Sequence, residues 1–232
     1  MMVAVPVLCF PYAGAGASVY RRCQEIEATG IRICPVQLPG REELSDEPLC
    51  TDAVTAVQAM LPEILDLAED GPEVALFGHS LGAILAYETA HQLREIGGPA
   101  VTRLFVSGSP GPWTRRANGA TGLTDDEFLE RVQELAGYRH PALTHPELRD
   151  MLLPILRADV AMHENYRPPS AGSLDAPVTS MRGADDELVS AAEAAEWAEA
   201  TTGGCRNVAL PGGHMYLVGS PSSLVGALEQ LR

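Results

Sequence analysis

The feature that most constrains this chain is alternation. Short apolar, β-branched runs recur at Val3–Phe10, Ile31–Val36, Val74–Phe77, Thr102–Val106, Pro177–Met181 and Asn207–Leu210, each bounded by Gly, Pro or polar residues. Helical patterns lie between them, at Thr51 to Glu69, Leu81 to Ile96, Ser190 to Ala200 and Ser222 to Leu231. Continuous apolar runs suit strands that are covered on both faces, and parallel strands need a crossover helix between them. The expected fold class is therefore α/β, with a doubly wound and mostly parallel sheet.

One stretch breaks the pattern. From about Trp113 to Ser170 no good strand occurs, only two helical patterns. The first opens on a capping box, Thr124-Asp125-Asp126-Glu127, and carries Phe128, Leu129, Val132 and Leu135 at helical spacing. The second runs from about Glu147 to Tyr166, with Leu148, Met151, Leu152, Ile155, Leu156 and Val160. At 232 residues a single domain is expected, with a core from residues 1–112 and 171–232 and a helical insertion at 113–170. Such an excursion either covers a site as a lid or serves only as a packed helical subdomain.

Composition removes several function classes. The chain has 16 basic and 31 acidic residues, a net charge of −15, and a surface that negative repels nucleic-acid phosphates. All of the basic residues are Arg, so a Walker-A phosphate loop, a pyridoxal Schiff base and a lysine nucleophile are excluded together. The cysteines Cys9, Cys23, Cys34, Cys50 and Cys205 are odd in number and never spaced C-x-x-C, which suits reduced thiols in a cytoplasmic protein. The apolar N-terminus lacks a positive leader and is too short to span a bilayer, so neither secretion nor membrane insertion is expected. No His/Cys/Asp cluster has metal-ligand spacing. The basic doublets Arg21-Arg22 and Arg115-Arg116 read most simply as solvated pairs, although the second, beside Trp113, could meet a phosphate or an acidic partner.

The strongest chemical signal is Gly78-His79-Ser80-Leu81-Gly82, placed between the run ending at Phe77 and the helix starting at Leu81. Gly-x-Ser-x-Gly at a strand-to-helix junction is a nucleophile elbow, a turn tight enough to expose the serine Oγ at the positive end of a helix. Serine needs a base. His79 sits inside the elbow, His91 lies mid-helix, and His140, His145 and His163 belong to the insertion. That leaves His214, in the glycine-rich Pro211-Gly212-Gly213-His214 after the last strand, at the sheet edge where ligands bind. The orienting acid should follow a strand between the two. Ser107-Gly108-Ser109-Pro110 offers no carboxylate, whereas Arg182-Gly183-Ala184-Asp185-Asp186 offers two, and spacing does not choose between Asp185 and Asp186. Oxyanion donors are expected from the Leu81 amide and from the loop Phe10-Pro11-Tyr12-Ala13-Gly14-Ala15-Gly16. That loop is not a dinucleotide loop, because Val19 stands where G-x-G-x-x-G needs its third glycine.

Taken together, these segments resemble the type II thioesterases of polyketide and nonribosomal peptide synthesis, nearly end to end. The resemblance rests on Phe10-Pro11-Tyr12-Ala13-Gly14, on Pro35-Val36-Gln37-Leu38-Pro39-Gly40-Arg41 and on the elbow itself. It continues through Leu104-Phe105-Val106-Ser107-Gly108, Leu153-Pro154-Ile155-Leu156-Arg157-Ala158-Asp159, Gly183-Ala184-Asp185-Asp186 and Pro211-Gly212-Gly213-His214-Met215. The resemblance implies an α/β-hydrolase fold with a helical lid, and a catalytic triad of Ser80, Asp186 and His214. It selects Asp186 over Asp185 and maps the oxyanion amides to Ala13 and Leu81. It further implies editing hydrolysis of acyl groups from the phosphopantetheine arm of an acyl or peptidyl carrier protein. No cofactor or metal is expected, and the chain is expected to act as a monomer. Leu81 where Met is common, and Ala15-Gly16 in place of Gly-Ser, are near-isosteric departures. A product-releasing thioesterase, a generic carboxylesterase and a non-catalytic carrier-binding protein are the alternatives. Carrier proteins are commonly acidic too, so a local Arg patch or apolar contact is expected to dominate docking.

Overall fold

The structure is a computed structural model that describes residues 4–68, 71–114, 119–136, 141–168 and 172–230. Val3, Glu69, Arg115-Arg116, His140, Ser170 and Leu231, all named above, lie outside the described residues. The strands are β1 (Val5–Phe10), β2 (Ile31–Pro35), β3 (Glu73–His79), β4 (Ala100–Ser107), β5 (Val178–Gly183) and β6 (Cys205–Leu210). They form one sheet in the order β2-β1-β3-β4-β5-β6, and every neighbouring pair is parallel. The helices are α1 (Arg21–Gln24), α2 (Ala53–Leu67), α3 (Leu81–Ile96), α4 (Asp125–Ala136), α5 (Pro146–Asn165), α6 (Ala191–Ala195), α7 (Tyr216–Gly219) and α8 (Pro221–Gln230).

Strand alternation divides the core between the two faces of the sheet. Leu8, Phe10, Leu76, Leu104 and Val106 pack with Val57, Met60 and Ile64 of α2 and Leu85 of α3. Val7, Cys9, Ala75, Phe77 and Phe105 pack on the other face with Cys23 of α1 and Leu224 and Leu228 of α8. The chain order reverses between β1 and β3, because β2 lies outside β1 while β4, β5 and β6 extend from β3. The crevice beyond the carboxyl ends of β1 and β3 is thus the switch point at which open parallel sheets bind ligands.

Local chemistry explains the element ends. Asp52 caps α2 by accepting from the Thr55 amide at 2.9 Å. Ser190 and Glu193 form a full capping box on α6. At α4 the Thr124 amide and hydroxyl both donate to Glu127, the glutamate arm of the expected box. The helix expected over Ser190 to Ala200 stays α-helical only to Ala195 and tightens to 3-10 winding over Glu196–Ala200. There the buried Trp197 indole donates to the Ser109 carbonyl and Glu196 accepts from the Gly111 amide, which ties this turn to the chain beyond β4. Strand β6 begins two residues earlier than its apolar run, since Cys205, Arg206 and Asn207 lie on a half-exposed edge.

Among the described residues between Trp113 and Ser170 there is no strand, only α4, a 3-10 turn at Pro141–Thr144, and α5. Phe128, Leu153, Leu156 and Ala120 form a small cluster of their own. Ala13, in the loop after β1, packs against both this cluster and the main core.

Candidate active site

Ser80 occupies the turn between β3 and α3 with φ 53° and ψ −117°. That is a left-handed conformation which costs a non-glycine residue about 1–3 kcal/mol. The flanking glycines are demanded by contact: a Cβ at Gly78 would overlap the Gly82 carbonyl, and one at Gly82 would overlap the Phe10 carbonyl. The Ser80 amide is tied to the Ser107 carbonyl at 2.8 Å, which fixes the elbow to β4. Leu81 is the first residue of α3, so its amide lies in the turn whose N–H groups lack helical partners and carry the positive end of the dipole.

His214 and Asp186 meet across the ends of β5 and β6. His214 Nδ1 lies 2.9 Å from Asp186 Oδ2, and both side chains are buried. The other Asp186 oxygen accepts from the Leu188 amide at 2.9 Å and the Val189 amide at 3.0 Å. Burial alone would raise the Asp186 carboxyl. The His214 hydrogen bond and charge, with the two amides, outweigh it and hold the group below its ordinary value. A carboxylate at Nδ1 leaves Nε2 as the nitrogen able to accept a proton. The neighbouring Asp185 is exposed and meets this edge only through its amide, which donates to the Gly212 carbonyl.

A second imidazole lies behind the first. The His79 ring is fully buried and its centroid is 4.8 Å from that of His214. His79 Nδ1 is 2.9 Å from Ser107 Oγ, which is 2.7 Å from the Tyr216 hydroxyl. Burial, then the adjacent His214, lowers the His79 pKa well below the ordinary value against the pull of Asp186, so this ring is neutral at pH 7. Motif spacing does not reveal this chain of contacts, although Ser107 stands within a quoted segment and Tyr216 directly follows another. Of the remaining described histidines, His91 is buried mid-helix in α3, His145 precedes α5 without a side-chain capping bond, and His163 lies near the end of α5.

A cavity of about 370 Å³ lies between Ile84 on α3, the 109–114 segment, Gly119, and His163 to Pro168 at the end of α5, and neither Ser80, Asp186 nor His214 lines it. Ile84 is one turn beyond Ser80, and Gly108, just before the cavity wall, packs on the rings of both His79 and His214. Among the described residues no group of three or more His, Cys, Asp or Glu could hold a metal ion, and no helix is long and apolar enough to cross a membrane.

A parallel sheet with a strained serine elbow at its switch point, and a paired Asp and His at the ends of later strands, defines an α/β-hydrolase fold. The thioesterase domain family matches residues 5–231, and the chain belongs to that family. It is 36% identical over 214 residues to the probable cadicidin biosynthesis thioesterase of Streptomyces griseus, covering 92% of this chain and 58% of that relative's length. Among solved structures it is similar to RedJ, a thioesterase from the prodiginine pathway of Streptomyces coelicolor, with a TM-score of 0.88 and 34% identity over 97% of this chain and 89% of the other. The type II thioesterase BorB of the borrelidin cluster gives a TM-score of 0.86 and 32% identity, covering 99% of this chain and 94% of that one.

Proposed function

We propose that this thioesterase removes acyl or aminoacyl groups from the phosphopantetheine arm of carrier proteins in polyketide or nonribosomal peptide biosynthesis, as an editing hydrolase. The observation that carries the reading is the buried Asp186–His214 pair facing the edge on which Ser80 holds its strained turn. Ser80 Oγ gives its proton to His214 Nε2 and attacks the thioester carbonyl. The oxyanion is received by the Ala13 and Leu81 amides while Asp186 steadies the imidazolium. As the C–S bond breaks, His214 gives that proton to the departing thiolate sulfur, which leaves as the free thiol. A water gives a proton to the same nitrogen and attacks the acyl carbon; the bond to Ser80 Oγ then breaks, His214 returns the proton to Oγ, and the free acid leaves, so this chain's residues and water carry every step. The relatives' biosynthetic names support the carrier-bound substrate. The two helices between β4 and β5 act in this reading as a lid over the acyl group.

The test is intact-mass detection of acyl release from acetyl-, propionyl- and longer acyl-loaded carrier protein, with Ser80→Ala alongside. Release of free acid that depends on Ser80 supports the reading. Transfer to an internal nucleophile would make the protein a product-releasing enzyme. Turnover of oxygen esters with silence on every carrier would make it a carboxylesterase.

A further inference from the structure

The loop that carries the Ala13 amide is held from outside the sheet. Asp159, fully buried on α5, accepts from the Gly14 amide through Oδ2 at 2.7 Å. Arg41, 118 residues away in sequence, donates to both oxygens of that carboxylate, at 2.6 and 2.7 Å. The same guanidinium also donates to the Ala15 carbonyl at 2.9 Å. Gln37 completes the grip, accepting from the Ala17 amide at 3.1 Å and donating to the Arg41 carbonyl at 3.2 Å. The loop is therefore gripped at Gly14, Ala15 and Ala17, beginning one residue beyond Ala13. Leu156, also on α5, stands only 3.0 Å from where a Gly14 Cβ would lie.

A buried ion pair is a poor device for stability alone, because desolvation of both charges offsets most of their attraction. Burial raises the Asp159 carboxyl despite Arg41 and the Gly14 amide, which marks the site as one where charge is costly. What such a pair supplies well is direction: a planar guanidinium fixes the carboxylate plane, and the carboxylate then aims at one amide.

We propose that Arg41 and Asp159 are positioning residues for the oxyanion site, so that the Ala13 amide is correctly aimed only while α5 is docked on the loop. The proposal rests on the Ala13–Leu81 oxyanion reading above. It makes the helical insertion part of the catalytic geometry as well as a cover: withdrawal of α5 removes the acceptor from Gly14 and disassembles half of the oxyanion site.

Two double variants separate this from a plain structural role. Arg41→Met with Asp159→Asn removes both charges but keeps an acceptor for Gly14. Arg41→Met with Asp159→Leu removes the acceptor too. The probes are an acyl N-acetylcysteamine thioester and a trifluoromethyl ketone of matching chain length, whose hydrate or adduct mimics the tetrahedral state. The leucine pair is expected to lose about 10–100-fold in kcat with KM within about twofold, because displacing an aligned group by about 1 Å costs that much. Ketone affinity should fall in parallel, and hydrogen exchange of the peptide spanning residues 10–18 should speed up. The asparagine pair keeps the acceptor but loses the guanidinium that fixes its plane and holds the Ala15 carbonyl, so it should lose clearly less of all three properties than the leucine pair. Equal kcat and equal ketone affinity in the two folded pairs overturns the proposal alone. An inert wild-type protein, on esters and thioesters alike, overturns the hydrolase reading and this proposal with it. Asp159→Asn alone covers the case in which the leucine pair fails to fold. With Arg41 present the asparagine oxygen turns to the guanidinium and an NH2 group faces Gly14, so kcat should fall at constant KM; wild-type kcat there overturns the proposal.

Discussion

The elbow and the helical insertion are built on opposite principles. In α3 every residue from Leu81 to Leu93 is buried, and β3 beside it is paired on both edges. In α5 the buried residues are Leu153, Leu156, Ala158, Asp159 and Met162, while Leu148 is 44% and Met151 69% exposed. The elbow is held by packing from all sides. The insertion meets the loop after β1 through a polar clamp and through Ala13, which joins the two apolar clusters. A strained serine needs surroundings that over-determine it. On the function proposed above, a segment that covers the acyl group needs a smaller cost of opening.

The largest expected effect lies at the elbow. Ser80→Ala should reduce kcat by about 10⁴–10⁶-fold, since losing the nucleophile of a triad removes nearly all of its cooperative advantage. Ser80→Gly should be equally inactive yet more stable by about 1 kcal/mol, because glycine adopts φ 53° without the strain. Thermal denaturation would then show a Tm about 2–4 °C higher for a domain of this size. An unchanged or lower Tm would mean that the turn is not strained in solution.

Next in size is the difference in opening free energy. Native-state hydrogen exchange should show the α3 amides exchanging only through global unfolding. The α4 amides, packed on the small cluster around Phe128, should exchange through an opening several kcal/mol smaller, on the order of half the global value. Equal protection would erase the comparison and make the two regions one cooperative unit.

Acid sharpens the contrast further. Burial, then His214, depresses the His79 pKa, and burial, then Arg94, lowers His91 to about 4. Both histidines bind protons more readily when unfolded. Their contribution is therefore complete above about pH 6.5 and is lost as pH falls below it, at up to about 1.4 kcal/mol per pH unit for each. His79→Gln should flatten the slope of stability between pH 6 and 5, read by urea denaturation. Asp159 has the opposite sign: its raised carboxyl favours the folded state below about pH 3.9, and that advantage disappears as pH rises through the folded value. Acid thus weakens the elbow and α3 while relieving the buried charge of the clamp. An unaltered slope in His79→Gln would place the acid sensitivity elsewhere.

Much of this organisation was legible in the chain because it rests on local signals. The strands follow from apolar runs, and the elbow follows from two glycines whose Cβ atoms would strike carbonyls. The start of β6 was hidden because an edge strand tolerates polar side chains, as Arg206 and Asn207 show. Asp185 and Asp186 are indistinguishable by composition, and which of them faces His214 depends on how the backbone turns after Gly183. The His79–Ser107–Tyr216 contacts and the Arg41–Asp159 clamp join residues far apart in sequence, so no window contains them. One trace of the clamp was nonetheless visible. Asp159 falls on the apolar stripe of α5, between Leu156 and Met162, and an acid on such a stripe calls for a buried partner.

The smallest expected effect separates two ion pairs within the insertion. Arg149 Nη2 lies 2.7 Å from Asp126, which is 89% exposed, so this pair sits in water and is screened by salt. Arg157 Nη2 lies 2.6 Å from Asp125 and also donates to the Leu123 carbonyl at 2.9 Å, with its guanidinium 4.3 Å from the Phe128 ring centroid. Its planar group therefore joins the segment before α4, the first turn of α4 and the small apolar cluster at once. Arg157→Ala should lower the opening free energy of α4 by about 1 kcal/mol, the sum of a partly shielded hydrogen bond and a cation–π contact. Arg149→Ala should change it by no more than about 0.5 kcal/mol, an effect that should vanish in 0.5 M salt. Hydrogen exchange of the α4 amides reads both. Equal losses in the two variants would mean that charge alone, rather than contact with Phe128 and Leu123, holds α4 against α5.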